Sequence, residues 1–322
     1  MFTEKIAFVF PGQGAQYVGM AQDLYDAYPI VRYTFEQVSD MTHKDVARAC
    51  LNGPVDVLNQ PEMTSLGTFA HSVSIARVIE QHFDNVPLYK IGYAITGHSM
   101  GQYSALHCAG SMSVCTATKL LSARSTYMSM ADKNAGGMAC VVGLTKEQLE
   151  EILVAINGHG FAAISNHNAL DQFVISGQNE ALDILVARAR ARGARISKRL
   201  NVAIPAHCAL MQNAEYLLRR RLENITIDAP KTNWFSNQTA NVMSNPNDVK
   251  DALADQMTHG VRWFEIMQKF PEYNITRAYE LGPGRVLTGL INRANVGCVA
   301  HVSDNMKNLD VILKELDSIQ VR

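Results

Sequence analysis

The stretch that most constrains how this chain can fold is Gly97-His98-Ser99-Met100-Gly101, set between an apolar β-like run at 91–96 and a helix-like run that begins around Gln102. Strand, Gly-x-Ser-x-Gly, helix is the local context of a nucleophile elbow. A turn that tight holds Ser99 in a strained conformation with its hydroxyl standing clear of the sheet. The flanking glycines supply room that a Cβ would fill. The helix that follows points backbone N–H groups into the space above the hydroxyl, where an anionic intermediate can be held. The competing reading is a glycine-rich turn with an ordinary exposed serine, and the strand before and helix after weigh against it.

An elbow needs a sheet and a core around it. The chain has 322 residues, of which 47% are apolar, enough for one large domain or two ordinary ones. Its formal net charge of −1 argues against a nucleic-acid binder with a whole-domain basic field. Cys50, Cys108, Cys115, Cys140, Cys208 and Cys298 form no C-x-x-C pair and no metal-ligand spacing, so no metal site is expected and a reducing compartment suits them. The first residues lead straight into an apolar strand without a signal-peptide pattern, and no run of 18 apolar residues occurs, so the expectation is a cytoplasmic protein with no membrane association.

Along the chain, apolar strands alternate with helical patterns, which predicts an α/β fold with a parallel sheet. A buried strand at 6–10 breaks at Pro11-Gly12-Gln13-Gly14, and helices are expected at 17–28, 31–39 and 65–83 and, after the elbow, through Met130. The middle changes character. A strand at 138–144, a helix to Ile156 capped by Thr145, strands at 161–165 and 172–176, a helix at 179–192 closed by Gly193 and a strand at 195–200 make a β-α-β-β-α-β order. That order is the ferredoxin-like unit, here an insertion at 137–201 in a larger domain formed by 1–136 and 202–322. The α/β pattern then resumes with a helix at 206–224, a strand at 232–236, helices at 248–256 and 263–270, a Gly282-Pro283-Gly284 turn before a helix to Asn292, and a strand at 298–302.

A serine nucleophile needs a base within hydrogen-bond reach. Two of the ten histidines stand out. His207 lies where the chain leaves the inserted unit, and His301, with Asp304 close by, follows the last apparent strand, as the base of a standard α/β-hydrolase would. Spacing alone leaves both open. His98 adjoins the serine, and an elbow turns adjacent side chains in different directions, so it is expected to line the pocket.

The loop Phe10-Pro11-Gly12-Gln13-Gly14-Ala15-Gln16 sits at the C-terminal end of the first strand, where α/β sheets place ligands. Together with Gly-His-Ser-Met-Gly-Gln-Tyr-Ser-Ala-Leu at 97–106 it resembles the malonyl-CoA:acyl carrier protein transacylases and the trans-acting acyltransferases of polyketide synthases. The resemblance runs on, in order, through Asn59-Gln60-Pro61, Arg124, 204–211 around His207, Gln256 with Val261-Arg262-Trp263, and 280–287. It implies an α/β-hydrolase-like domain with a ferredoxin-like insert. It implies a Ser99–His207 dyad in which the backbone carbonyl of Gln256 orients the imidazole, and an oxyanion hole made by the Gln13 and Met100 amides. It implies an acyl site with Arg124 holding a malonyl carboxylate beside Gln60, His98 and Ala206.

The implied enzyme is an acyltransferase working by ping-pong exchange, with acyl-CoA as substrate, acyl carrier protein as partner, no bound cofactor or metal, and a monomeric state. Fatty acid and polyketide synthesis are both compatible with it. Met100, Gln102 and Ala206 replace the family's usual Leu, Glu and Ser or Phe, which leaves a substituted malonyl group open. Arg124 lies on an apolar stripe with Ala117, Leu120, Met128 and Ala131, where a guanidinium must find a partner or snorkel. Arg188 and Arg192, four apart on one helix, are the candidates for docking an acidic carrier protein. An acyl-carrier-protein hydrolase of the same fold and a catalytically inactive docking module are the rival readings.

Overall fold

The structure, a computed structural model, describes residues 4–130 and 136–320. The first strand, β1 (Lys5–Phe10), is apolar at every position after Lys5 and is buried on both faces. The strands that follow are β2 (Ala94–Gly97), β3 (Gly137–Val142), β4 (Ala162–Ala169), β5 (Gln172–Gly177), β6 (Ile196–Arg199), β7 (Asn233–Phe235), β8 (Val242–Met243), β9 (Ile275–Glu280) and β10 (Val299–Val302).

They form two sheets, of order β10-β9-β1-β2-β7-β8 and β4-β5-β3-β6. In the six-stranded sheet only β8 runs antiparallel to its neighbour. The fold is therefore mixed α/β with a parallel sheet. Alternation along β1 separates two cores. Ile6, Phe8 and Phe10 pack on one face, while Ala7 and Val9 pack on the other with Ala278, Leu287 and Trp263. Because β1, β2, β7 and β9 are parallel, the loops after Phe10, Gly97, Phe235 and Glu280 all emerge at one edge, where ligands bind in such sheets.

The four-stranded sheet is antiparallel. Its Ala139, Val141, Phe173 and Ile175 pack beneath the helices Lys146–Ala155 and Asn179–Ala191. The first of these helices begins with the expected Thr145 cap, completed by Gln148 as a capping box. The alternating residues Met138 and Val174 face the opposite way. The small sheet is tied to the segment just before the helix Trp263–Lys269 by a parallel bridge, in which the His167 N–H donates to the Val261 carbonyl and the Val261 N–H to the Ser165 carbonyl, both at 2.9 Å.

Several expected elements differ. The helix expected at 206–224 starts only at Gln212, because His207 takes a left-handed conformation (φ 61°) and a short 3-10 turn intervenes. The one at 17–28 begins at Gln22, behind the positive-φ residues Gly19 and Ala21. The strand expected to stop at Ser165 continues to Ala169 as β4. The helix expected at 65–83 begins at Pro61, a residue suited to the first helical position because its missing N–H has no helical acceptor. Beyond the last expected strand the chain forms one more helix, Met306–Ile319, with Leu309, Ile312, Leu313, Leu316 and Ile319 on its buried stripe. Ala131, placed on the stripe with Arg124, lies outside the described residues. No described helix is long and apolar enough to cross a membrane.

Candidate active site

Ser99 carries φ 52° between β2 and the helix Gly101–Cys108, a left-handed strain for a non-glycine residue. A Cβ on Gly97 would fall 2.1 Å from the Gly101 backbone, and one on Gly101 would fall 2.2 Å from the Phe10 carbonyl, so the turn closes only with glycine at both places. Side chains lock it. The Ser99 N–H donates to Asn237 Oδ1 at 2.8 Å and Asn237 Nδ2 donates to the Gly97 carbonyl at 2.8 Å. Gln102 Nε2 reaches back to Gly97 O at 2.7 Å and Phe235 O at 3.0 Å. Asn237 was not among the sequence candidates. It lies just past β7, which pairs with β2, and only that pairing brings it to the elbow.

The Ser99 hydroxyl lies 2.7 Å from His207 Nε2, and His207 Nδ1 lies 2.6 Å from the backbone carbonyl of Gln256. A carbonyl only accepts, so Nδ1 carries the hydrogen and Nε2 is the free base facing the serine. Gln256 also steadies the serine, since its Nε2 donates to Ser99 O at 3.1 Å. Burial, with the Arg124 cation second, pushes His207 down to about 3, while the bond to Gln256 works the other way. The imidazole is therefore neutral at ordinary pH.

His301 is nowhere near Ser99. It sits on the edge strand β10 with Nδ1 3.7 Å from Glu315 Oε1. His98 lines the cavity, with Nε2 2.9 Å from Asn168 Oδ1 and its ring edge-on to Trp263.

Arg124, on the helix Val114–Ser129, is 5% exposed and shares its buried stripe with Ala117, Leu120 and Met128. It does not snorkel. Its Nη2 donates to Ser99 Oγ at 3.2 Å, its Nε has no partner, and among the described residues no carboxylate pairs with it. A buried guanidinium with an unpaired donor has the charge and geometry to hold an anion.

Around these groups lies a partly open cavity of about 180 Å³, lined by Arg124, Ser99, His207, Gln13 and Met100 together with the apolar Met128, Met138, Val174 and Leu200. Neither the Gln13 nor the Met100 N–H donates to another group among the described residues. Ala206 lines the cavity and its carbonyl accepts from Ser176 Oγ at 2.6 Å. Gln60 does not reach the cavity. It precedes the helix Pro61–His82 as an exposed residue, and its neighbour Pro61 supplies the wall instead. Asn166 and Asn168 of β4 line it too, and polar residues inside a strand were the signal that could have found them.

Arg188 and Arg192 border the helical face of the small sheet, the face turned away from the cavity, and Arg192 is paired with Glu151. The expected basic face beside the cleft is therefore not formed by this pair. Among the described residues no group of His, Cys, Asp and Glu side chains could hold a metal ion.

The burial of neutral histidines carries a stability signature. His71 and His207 are pushed down to about 3 and His107 to about 4, each chiefly by burial. The unfolded chain takes up these protons near pH 6.5 and the native chain does not, so stability falls as the pH drops below that value. Glu280, pushed up to about 7 chiefly by burial, and Glu80, raised chiefly by burial, work in the opposite sense, but they stand against these three histidines and against His98 and His167, which burial also lowers. Between about pH 6 and 5 the net loss is expected to be roughly 2–3 kcal/mol per pH unit. Urea midpoints measured across that interval check it, and a flat or rising midpoint on acidification would contradict it.

The model of the acyl transferase domain family matches residues 7–283. The malonyl CoA-acyl carrier protein transacylase of Haemophilus influenzae is 35% identical over 303 residues, which are 94% of this chain and 96% of that protein. Among solved structures, the malonyl CoA-acyl carrier protein transacylase of Coxiella burnetii superposes with a TM-score of 0.93 at 33% identity, covering 98% of this chain and 99% of that one. A malonyl-transacylase in complex with a type II PKS acyl-carrier protein superposes with a TM-score of 0.92 at 32% identity, covering 97% and 100%.

Proposed function

Because the chain belongs to the acyl transferase family, we propose that it moves a malonyl or substituted malonyl group from coenzyme A to the phosphopantetheine thiol of an acyl carrier protein. The observation that carries this reading is the buried, acid-free Arg124 guanidinium within 3.2 Å of a serine that is itself hydrogen-bonded to a neutral histidine.

Ser99 Oγ attacks the thioester carbonyl while His207 Nε2 takes its proton. The oxyanion is received by the Gln13 and Met100 amides. The carbon–sulfur bond breaks, His207 returns the proton to the departing thiolate, and an acyl-serine ester remains. The second half repeats the steps in reverse. The carrier thiol gives its proton to His207, its sulfur attacks the ester, and Ser99 regains its hydrogen.

Arg124 anchors the free carboxylate of the malonyl group through its guanidinium fork. That carboxylate also cancels the repulsion Arg124 exerts on a protonated His207, so the imidazole becomes a better base for the serine once a malonyl substrate is bound. A hydrolase acting on uncharged acyl chains would gain nothing from this cation. We read the large sheet as an α/β-hydrolase-like domain of 1–136 and 202–322, and 137–201 as a ferredoxin-like insert. The β6-β3-β5-β4 order of the small sheet supports that reading.

Asn237 should act through the serine. Asn237→Ala removes the acceptor for the Ser99 N–H and the donor to Gly97. It is expected to lower kcat roughly ten- to hundredfold with little change in KM for malonyl-CoA, since a loosened elbow misplaces the nucleophile. A rise in KM at unchanged kcat would place Asn237 in substrate binding instead. Steady-state kinetics with malonyl-CoA and a carrier protein test the function itself. Transfer to the carrier supports it, and release of free malonate without transfer would favour the hydrolase.

A further inference from the structure

The side chain of Glu280 is fully buried at the C-terminal end of β9, one strand from the elbow loop. Its Oε1 accepts from the Leu287 N–H at 3.0 Å and its Oε2 from the Thr288 N–H at 2.7 Å. These are first-turn amides of the helix Val286–Ala294, which have no acceptor inside the helix. Val286, Leu287 and Leu290 of that helix form a wall of the cavity that holds Ser99 and Arg124. A carboxylate on a strand held between two neighbours therefore clamps an element of the site.

We propose that Glu280 is a positioning residue for acyl transfer: by holding both amides it fixes the Val286–Leu290 wall against the acyl group and so sets which acyl groups fit. This rests on the reading of the cavity as the acyl site.

The clamp has a built-in sensitivity. β1 and β10 present Val9 and Val302 at the register positions beside Glu280, and the Ser303 hydroxyl donates to its backbone carbonyl. Among the described residues the one charged side chain that acts on it is Asp304, a repulsion, and no cation does. Burial first, then Asp304, pushes the carboxyl up to about 7, against the two helix amides. Ionised, it offers an acceptor to each amide. Protonated, one oxygen becomes a hydroxyl and the grip on one amide weakens.

The test compares kcat/KM for loading by malonyl-CoA and by methylmalonyl-CoA in the intact protein and in Glu280→Gln, from about pH 6 to 8.5. The ratio of the two substrates cancels the protonation of His207, which both share. The ratio is expected to shift roughly three- to tenfold across pH 7 in the native protein, and to stay at the low-pH value at every pH in the glutamine variant. A merely structural residue would lower both rates together and leave the ratio flat.

Hydrogen exchange adds a readout that needs no turnover. Protection of the Leu287 and Thr288 amides should fall as the pH is lowered through 7 in the native chain, relative to amides of the Met306–Ile319 helix. A flat ratio and unchanged protection in the native protein, or a shift that persists in Glu280→Gln, would overturn the proposal. Absence of any malonyl loading in the native protein would instead overturn the reading of the site, and this proposal with it.

Discussion

Ser99→Ala and His207→Ala are each expected to slow release of coenzyme A from malonyl-CoA by about three orders of magnitude or more. The serine variant has no oxygen to attack the thioester. The histidine variant keeps the oxygen but loses the base held 2.7 Å from it and oriented by the Gln256 carbonyl. Nucleophile and base act as one unit, so the double variant should be scarcely slower than either single one. His301→Ala, which loses contacts to Glu315 and Tyr279 near the sheet edge and none to Ser99, should leave the rate within about twofold. Stopped-flow or end-point thiol detection gives all four rates. A His301 effect larger than the His207 effect would contradict the dyad.

Arg124→Ala is expected to lower malonyl transfer by roughly 3–5 kcal/mol, the scale for leaving one member of a buried ionic pair alone. Here the member left alone is the substrate carboxylate, carried into a site with no other free cation in its described wall. The same change should raise activity with acetyl-CoA relative to malonyl-CoA, because an acetyl group leaves the native guanidinium without an anion and gains from its removal. Arg124→Lys should fall between, keeping a charge but losing the planar fork. The measurement is the ratio of kcat/KM for malonyl-CoA and acetyl-CoA in the three proteins. Equal losses for both substrates would mean that Arg124 supports the fold and not the acyl group. The bond from Arg124 to Ser99 Oγ predicts a smaller, shared loss on top of the selective one.

What could be read from the sequence was what is local in the chain. The elbow is a five-residue motif with its strand and helix attached, so Ser99, Met100 and the two glycines were legible without a fold. The order of strands and helices through the middle of the chain, including the Thr145 cap, followed from periodicity and turn residues. Choosing between His207 and His301 required the family resemblance, because which histidine returns to the serine depends on strand order. His301 lies on β10, at an edge with two strands, β9 and β1, between it and β2.

Asn237 was out of reach for the same reason. Nothing in Ser236-Asn237-Gln238 marks it, and its meaning comes from β7 lying beside β2. The docking pair Arg188 and Arg192 failed at a further level. Their spacing put them on one helix face, but which side of a sheet that helix covers is decided by the alternation of Ala139 and Val141 against Met138. Gln60 failed by one residue of helix geometry, since the wall begins with Pro61.

The proposed mechanism turns on a covalent malonyl ester on Ser99, which the mass of the intact protein after brief mixing with malonyl-CoA detects. A single malonyl adduct is expected on the native chain, mapped by peptide to residues around Ser99, discharged by a carrier protein bearing phosphopantetheine, and absent from Ser99→Ala. A malonyl adduct that persists in Ser99→Ala, or transfer to the carrier with no adduct at Ser99, would contradict it.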